Sequence, residues 1–139
     1  MDDPYNLQRF VDAQDLVYDE VLSELRAGYK SGHWMWFIFP QIRGLGRSAL
    51  AEKFAINSKE EAQAYLQHPI LGRRLRECTR VLTLLKGRSA AEIFGYPDVL
   101  KFKSSMTLFY CVTSENQEFK DALHIYFGNE LDQRTIERL

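Results

Sequence analysis

A mainly α fold, one compact domain of about seven or eight helices around an aromatic core segment, is predicted by three observations. Apolar residues recur at three- and four-residue steps along most of the 139-residue chain, and period-two alternation is nearly absent. Gly and Pro stand singly between these stretches instead of gathering in a linker, and no repeat or low-complexity tract is present. The run HWMWFIFPQ, His33 to Gln41, sets two Trp and two Phe within six consecutive apolar positions. Each such ring can bury roughly 150–250 Å², which makes this segment the centre of the core.

Pro4 suits a first helical turn, and Leu7, Phe10, Gln14, Val17, Val21 and Leu25 then line one face of a first helix that Gly28 terminates. The length of HWMWFIF fits a short buried helix and an extended crossing strand equally well. Gly46 opens a helix over Ser48 to Ile56, and Ser58 with Glu61 forms a capping-box pattern for the next. Pro69 starts a helix with the stripe Leu71, Leu75, Cys78, Leu82 and Leu85, which Gly87 ends. Ser89 with Glu92 offers a second capping box, and Pro97 opens a helix with Leu100, Ser104, Leu108 and Cys111 on one face. Asn116 or Ser114 caps a helix bearing Phe119, Leu123 and Phe127, stopped by Gly128, and a last short helix follows Asp132.

Composition narrows the function. The formal charge of −1 gives no global pull toward nucleic acid or acidic membranes, so any anion site must be local. A domain of this size buries about 68–70% of its unfolded surface and needs no metal or disulfide staple. Cys78 and Cys111, both on apolar stripes, read as buried free thiols suited to a reducing cytoplasm. The acidic start MDDPYNLQRF lacks the basic and apolar regions of a signal peptide, and no apolar run approaches the ~20 residues that span a bilayer. A soluble, cytoplasmic protein is expected. HExxH, a Cys and His cluster, GxSxG and GxxxxGK[ST] are all missing, so neither a metal, a nucleophile elbow nor a P-loop is indicated, and no cofactor is implied.

What remains are polar residues set against core-forming stripes. Gln14 falls within the first apolar stripe, where it either bonds neighbouring backbone or edges a pocket. Lys101 and Ser104 share a face near the head of the Pro97 helix; Lys101 either snorkels outward, pairs with Asp98 or meets an anionic ligand. In GLGRS, the glycines Gly44 and Gly46 permit close backbone approach, and Arg47 and Ser48 at a helix start can hold a phosphate or carboxylate; the same residues also make a plain connecting turn. The arginines Arg73, Arg74, Arg76 and Arg80 form an anion patch, or Arg73, Glu77 and Arg80 make a solvated ion-pair ladder at i, i+4 and i+7. His68 before Pro69 suits a loop or capping role, and His124 has no partner motif. His33 is a core histidine or a general acid or base beside an aromatic wall that excludes water.

If Gln14, His33, Gln41, Lys101 and Ser104 meet, they form a concave apolar pocket with a few polar groups, as small-ligand sites do. The favoured expectation is a protein that binds a small anionic metabolite, nucleotide- or phosphosugar-like, with enzymatic use of His33 compatible with it. The competing expectation is a non-catalytic interaction module whose polar oddities are structural and whose surface carries an apolar patch.

Five segments, LQRFVDAQ, HWMWFIFPQ, GLGRSA, YLQHPILGRRLREC and IFGYPDVLKFKSSMTLF, spread from Leu7 to Phe109, resemble the largely bacterial domain-of-unknown-function family 1810. The resemblance extends from about Tyr5 to Leu139. It implies a compact, mostly helical single domain and supplies no catalytic residue. Members of that family are often labelled calpastatin, but calpastatin is a long, disordered, repetitive inhibitor, which a chain with a full core and no repeat does not match.

Overall fold

The structure, a computed structural model, describes residues 2–139. Among these it holds ten helices and, in place of a sheet, one isolated parallel bridge between Ile42 and Ile56. The helices are α1 (Gln8–Asp15), α2 (Tyr18–Ala27), α3 (Met35–Ile38), α4 (Ala49–Lys53), α5 (Lys59–Gln67), α6 (Leu71–Leu84), α7 (Ala90–Phe94), α8 (Asp98–Val112), α9 (Gln117–Phe127) and α10 (Gln133–Ile136). The count exceeds the expected seven or eight because several connections tighten into single turns.

The first predicted helix is in fact two. The chain turns at Leu16 and Val17, leaving Leu16 83% exposed, so that α1 packs against α3 while α2 packs against α6. Unbroken periodicity hid this break, because Val17 and Val21 continue the spacing of α1. Pro4 lies in the turn before α1, where Asp3 accepts the Leu7 and Gln8 N–H groups. The helix expected to reach Ile56 stops at Lys53, and Ile56 instead exchanges backbone hydrogen bonds with Gln41 and Arg43.

HWMWFIF resolves as helix. One turn, α3, buries Met35 and Ile38 and is flanked by buried Trp34 and Phe39. Phe39 meets Phe102 at 5.1 Å and Phe94 at 6.0 Å, both edge-on, and Phe94 stacks on Phe102 at 4.6 Å. These offset arrangements are the favoured ones for aromatic quadrupoles.

On α6 the expected stripe is buried from Leu71 through Leu82. On α8 it is not. Leu100 and Cys111 are exposed, whereas Phe102, Met106, Leu108, Phe109 and Val112 are buried. Because α3, α5, α7, α9 and α10 all pack on it, α8 is enclosed on most sides and presents no single apolar face for spacing to reveal. The expectation of a buried Cys111 therefore fails. Cys78 is buried as expected, which pushes its thiol up to about 12 and leaves it inert near neutrality.

Ser89 and Glu92 complete a reciprocal capping box. Ser58 caps α5 as expected, but Glu61 turns from the box to the Asn57 backbone and to Arg9. His68 caps the next helix, its Nδ1 accepting the Ile70 and Leu71 N–H groups. Asp132 caps α10 through the Thr135 N–H.

Glu24 on α2 orders the loop that leads into α3. Its Oε1 accepts the N–H groups of Ser31 and Gly32 and the Trp34 indole at 2.7–3.0 Å. Burial pushes this carboxyl upward, but those three donors outweigh it and hold the group below the usual carboxylate range. Its stabilisation is therefore present above the ordinary pKa of about 4.3 and is lost as pH falls through the lower folded-state value. Glu24→Gln should melt earlier than wild type at pH 7. In thermal melts at stepped pH, that gap should close as the pH drops below about 4.

Candidate functional site

A cleft of about 430 Å³ lies between α3, the Gln41–Gly46 turn, α4 and the head of α8, within the ~300–1,000 Å³ range of small-ligand sites. Buried Met35, Phe39 and Phe54 line its apolar part. Trp36 and Phe37 sit on the outer side of the α3 turn, half-buried, and Trp36 enters the cleft. The polar lining comprises Gln41, Asn57, Arg43, Lys101 and the carboxylate of Glu52, so two cations face one anion.

Local geometry explains why these groups meet. The Ile42 and Ile56 bridge, with Ile56 N–H donating to Gln41 O and Arg43 N–H to Ile56 O, both at 2.8 Å, ties the turn to the segment after α4. Gly44 turns the chain at φ +99°, a backbone region that glycine enters without strain. Its carbonyl faces the Arg138 guanidinium from the C-terminal end of the fold at 3.5 Å. Lys101, in the first turns of α8, holds its Nζ 4.9 Å from the Trp36 ring centre and 3.4 Å from Asp98 Oδ1. A cation over an indole face is attracted by the ring quadrupole.

Of the nine residues singled out in the sequence, Gln41, Gly44, Gly46 and Lys101 line this cleft. The other five lie elsewhere. Gln14 is 1% exposed and fully engaged, donating to Phe37 O at 2.7 Å and Tyr65 Oη at 3.0 Å and accepting from Arg74 at 3.3 Å. The Ser104 hydroxyl lies within hydrogen-bond distance of Leu100 O and Asp132 Oδ2, its one proton shared between them, and so fastens α10 to α8. Ser48 accepts the Ala51 N–H as the cap of α4, and Arg47 is exposed outside the cleft. His33 is exposed, away from both core and cleft, because the helical turn begins only at Met35. The expected convergence of Gln14, His33, Gln41, Lys101 and Ser104 is thus reduced to Gln41 and Lys101.

Trp36, Arg43, Glu52 and Asn57 line the cleft without having stood out in the sequence. Helical spacing within WMWFIF would have set Trp36 opposite Ile38 and on the side of Phe39, with which it shares the cleft, had the segment been read as helix. The arginine ladder does not form either. Arg74 pairs with Asp15 and Arg76 with Glu118, while Glu77 accepts the Tyr18 hydroxyl. Among the described residues no group of three His, Cys, Asp or Glu could hold a metal ion.

Residues 4–139 match the model of a family described as a protein of unknown function, DUF1810. The chain belongs to this family. This DUF1810 protein is similar to a solved structure, the crystal structure of the conserved hypothetical protein Rv1873 from Mycobacterium tuberculosis. The two are 58% identical with a TM-score of 0.97, over 99% of this chain and 98% of that one. No curated protein matches the DUF1810 chain. Among the described residues of this DUF1810 protein, no helix is long and apolar enough to cross a membrane.

The cleft can hold an anion beside a flat apolar group. Lys101 and Arg43 supply charge, the Gln41 carboxamide supplies a donor and an acceptor, and Trp36 with Met35 and Phe39 supplies apolar surface. A histidine or thiol is missing from the lining, which leaves Glu52 as its one carboxyl group for proton transfer.

Proposed function

We propose that this protein binds a small anionic metabolite, nucleotide- or phosphosugar-like, in the α3 to α8 cleft, and does so in the reducing cytoplasm. Lys101 meets the anionic group, Arg43 assists at the rim, and the ligand's ring packs on the apolar wall beside Trp36. The observation that supports this most is the pairing of a half-buried indole with a lysine and an arginine around a concave space that contains one opposing carboxylate. Turnover, if the ligand is a substrate, would use Glu52 rather than His33.

Thermal melting with nucleotides and phosphosugars tests this. A ligand at a hundredfold its Kd stabilises the fold by about 2.7 kcal/mol, a rise of several degrees. Lys101→Ala should weaken binding about tenfold while shifting unliganded stability by less than about 1 kcal/mol, since a partly exposed ion pair contributes little. Melting curves that no such compound moves, or equal binding by Lys101→Ala, would overturn the proposal.

A second reading, a non-catalytic interaction module, draws support from the separation of Gln14, His33 and Lys101 and from exposed Leu16, Tyr29 and Tyr96. Stoichiometric co-purification of a protein partner whose binding is lost in Tyr96→Ala and kept in Lys101→Ala would favour it.

A further inference from the structure

Lys101 shares its counter-ion with a second lysine. Asp98, three residues earlier on α8, has its Oδ2 2.7 Å from Lys30 Nζ and its Oδ1 3.4 Å from Lys101 Nζ. The shorter distance is that of a charge-assisted hydrogen bond and the longer one exceeds it. Lys30 is also the more enclosed cation, its side chain 8% exposed against 22% for Lys101. Its Nζ donates to Gly32 O at 2.6 Å and lies 5.1 Å from the Trp34 ring, in the loop that Glu24 holds in place. Lys101, beyond its long contact with Asp98, meets the Trp36 ring at the cleft.

One carboxylate is therefore divided unequally between two ammonium groups, each set over a different indole of the same short segment. A buried ammonium without a partner is costly, whereas a half-exposed one retains water. The enclosed Lys30 takes Asp98, and the net positive charge of the three groups falls on Lys101. From this geometry we infer that Lys30 is a positioning residue for anion recognition: by holding Asp98 it leaves the Lys101 charge only partly compensated and available to the cleft. The inference rests on the anion-site reading above and adds to it a residue outside the cleft lining.

The test measures AMP binding to the intact protein by titration calorimetry. In Lys30→Met, Asp98 is released to Lys101, and AMP affinity should fall about fivefold to tenfold, the effect of one partly buried charge contact. Lys30→Arg keeps the pairing and should bind as wild type does. Lys30→Met combined with Asp98→Asn removes the competing acid as well and should restore affinity to within about twofold of wild type. Asp98→Asn alone, which tests the same point should Lys30→Met fail to fold, should bind AMP at least as tightly as wild type. The inference is overturned if wild type binds AMP through Lys101 while Lys30→Met is unaffected, if the double variant stays as weak as Lys30→Met, or if Asp98→Asn weakens binding. Failure of wild type to bind AMP, or indifference of AMP binding to Lys101→Ala, would instead remove the anion-site reading and this inference with it.

Discussion

Gly72→Ala is expected to destabilise the protein by about 3 kcal/mol or more and to lower the melting temperature by on the order of 10 °C. Gly72 is the second residue of α6, buried against the end of α5. A Cβ there would lie 2.0 Å from the Leu66 carbonyl oxygen and 2.9 Å from its carbon. The obstacle is backbone, so no rotamer change relieves it. One helix must move relative to the other, and the tight corner between them, where Gly72 N–H donates to His68 O and the His68 imidazole accepts from Ile70 and Leu71, would be pulled apart. Leu66→Ala should leave the penalty in place, because it trims a side chain that is not the obstruction. Differential scanning calorimetry of the single and paired variants checks both statements, and a Gly72→Ala protein that melts within a degree or two of wild type would refute the packing argument.

Arg9→Met should cost about 3–5 kcal/mol, a large share of the 5–15 kcal/mol that holds an ordinary domain together. The guanidinium donates to five acceptors: the carbonyls of Tyr5, Asn6, Lys53 and Ala55 and, at 2.9 Å, Glu61 Oε2. The Glu61 side chain is 2% exposed, and its other oxygen accepts from the Asn57 backbone and amide. Removing Arg9 leaves that carboxylate buried without a cation and orphans carbonyls on the segment that carries Phe54 and Ala55 into the cleft. Much of the penalty is the stranded charge, so Arg9→Met combined with Glu61→Met should lie closer to wild type than Arg9→Met alone. Urea unfolding of the three variants in a double-mutant cycle gives the coupling. Simple addition of the two single effects would contradict a coupled pair.

The helical class and most helix starts were legible because one-sided burial writes a period into the sequence. On α6 the stripe Leu71, Leu75, Cys78, Leu82 is the buried face. Where burial is not one-sided, the period misleads. Helix α8 is covered on several sides, and its expected face placed exposed Leu100 and Cys111 in the core. The site was half-legible for a related reason. A polar residue on an apolar stripe signals that something must satisfy it, without saying whether that is a ligand or the fold. Gln14 and Ser104 proved to be satisfied by Phe37, Tyr65 and Arg74 and by Leu100 and Asp132, across as many as 60 residues of chain. Arg9 and Lys30 drew no notice because their acidic partners, Glu61 and Asp98, are likewise distant in sequence. Gln41 and Lys101 do line the cleft, whereas Trp36, which enters it, was concealed among neighbours that belong to the core.

The enclosure of α8 also decides where motion can occur around the cleft. A helix on which α3, α5, α7, α9 and α10 all rest shifts only when much of the domain loosens, so Lys101 is a fixed point on a stiff mount. The opposite side is the turn over residues 41–46, tied down by one isolated bridge at Ile42 and a long Arg138 contact, with Arg43 and Gly44 exposed. In the proposed binding, adjustment to a ligand of different size would therefore fall to the turn, on the faster timescale of loops, while the helix sets the location of the charge.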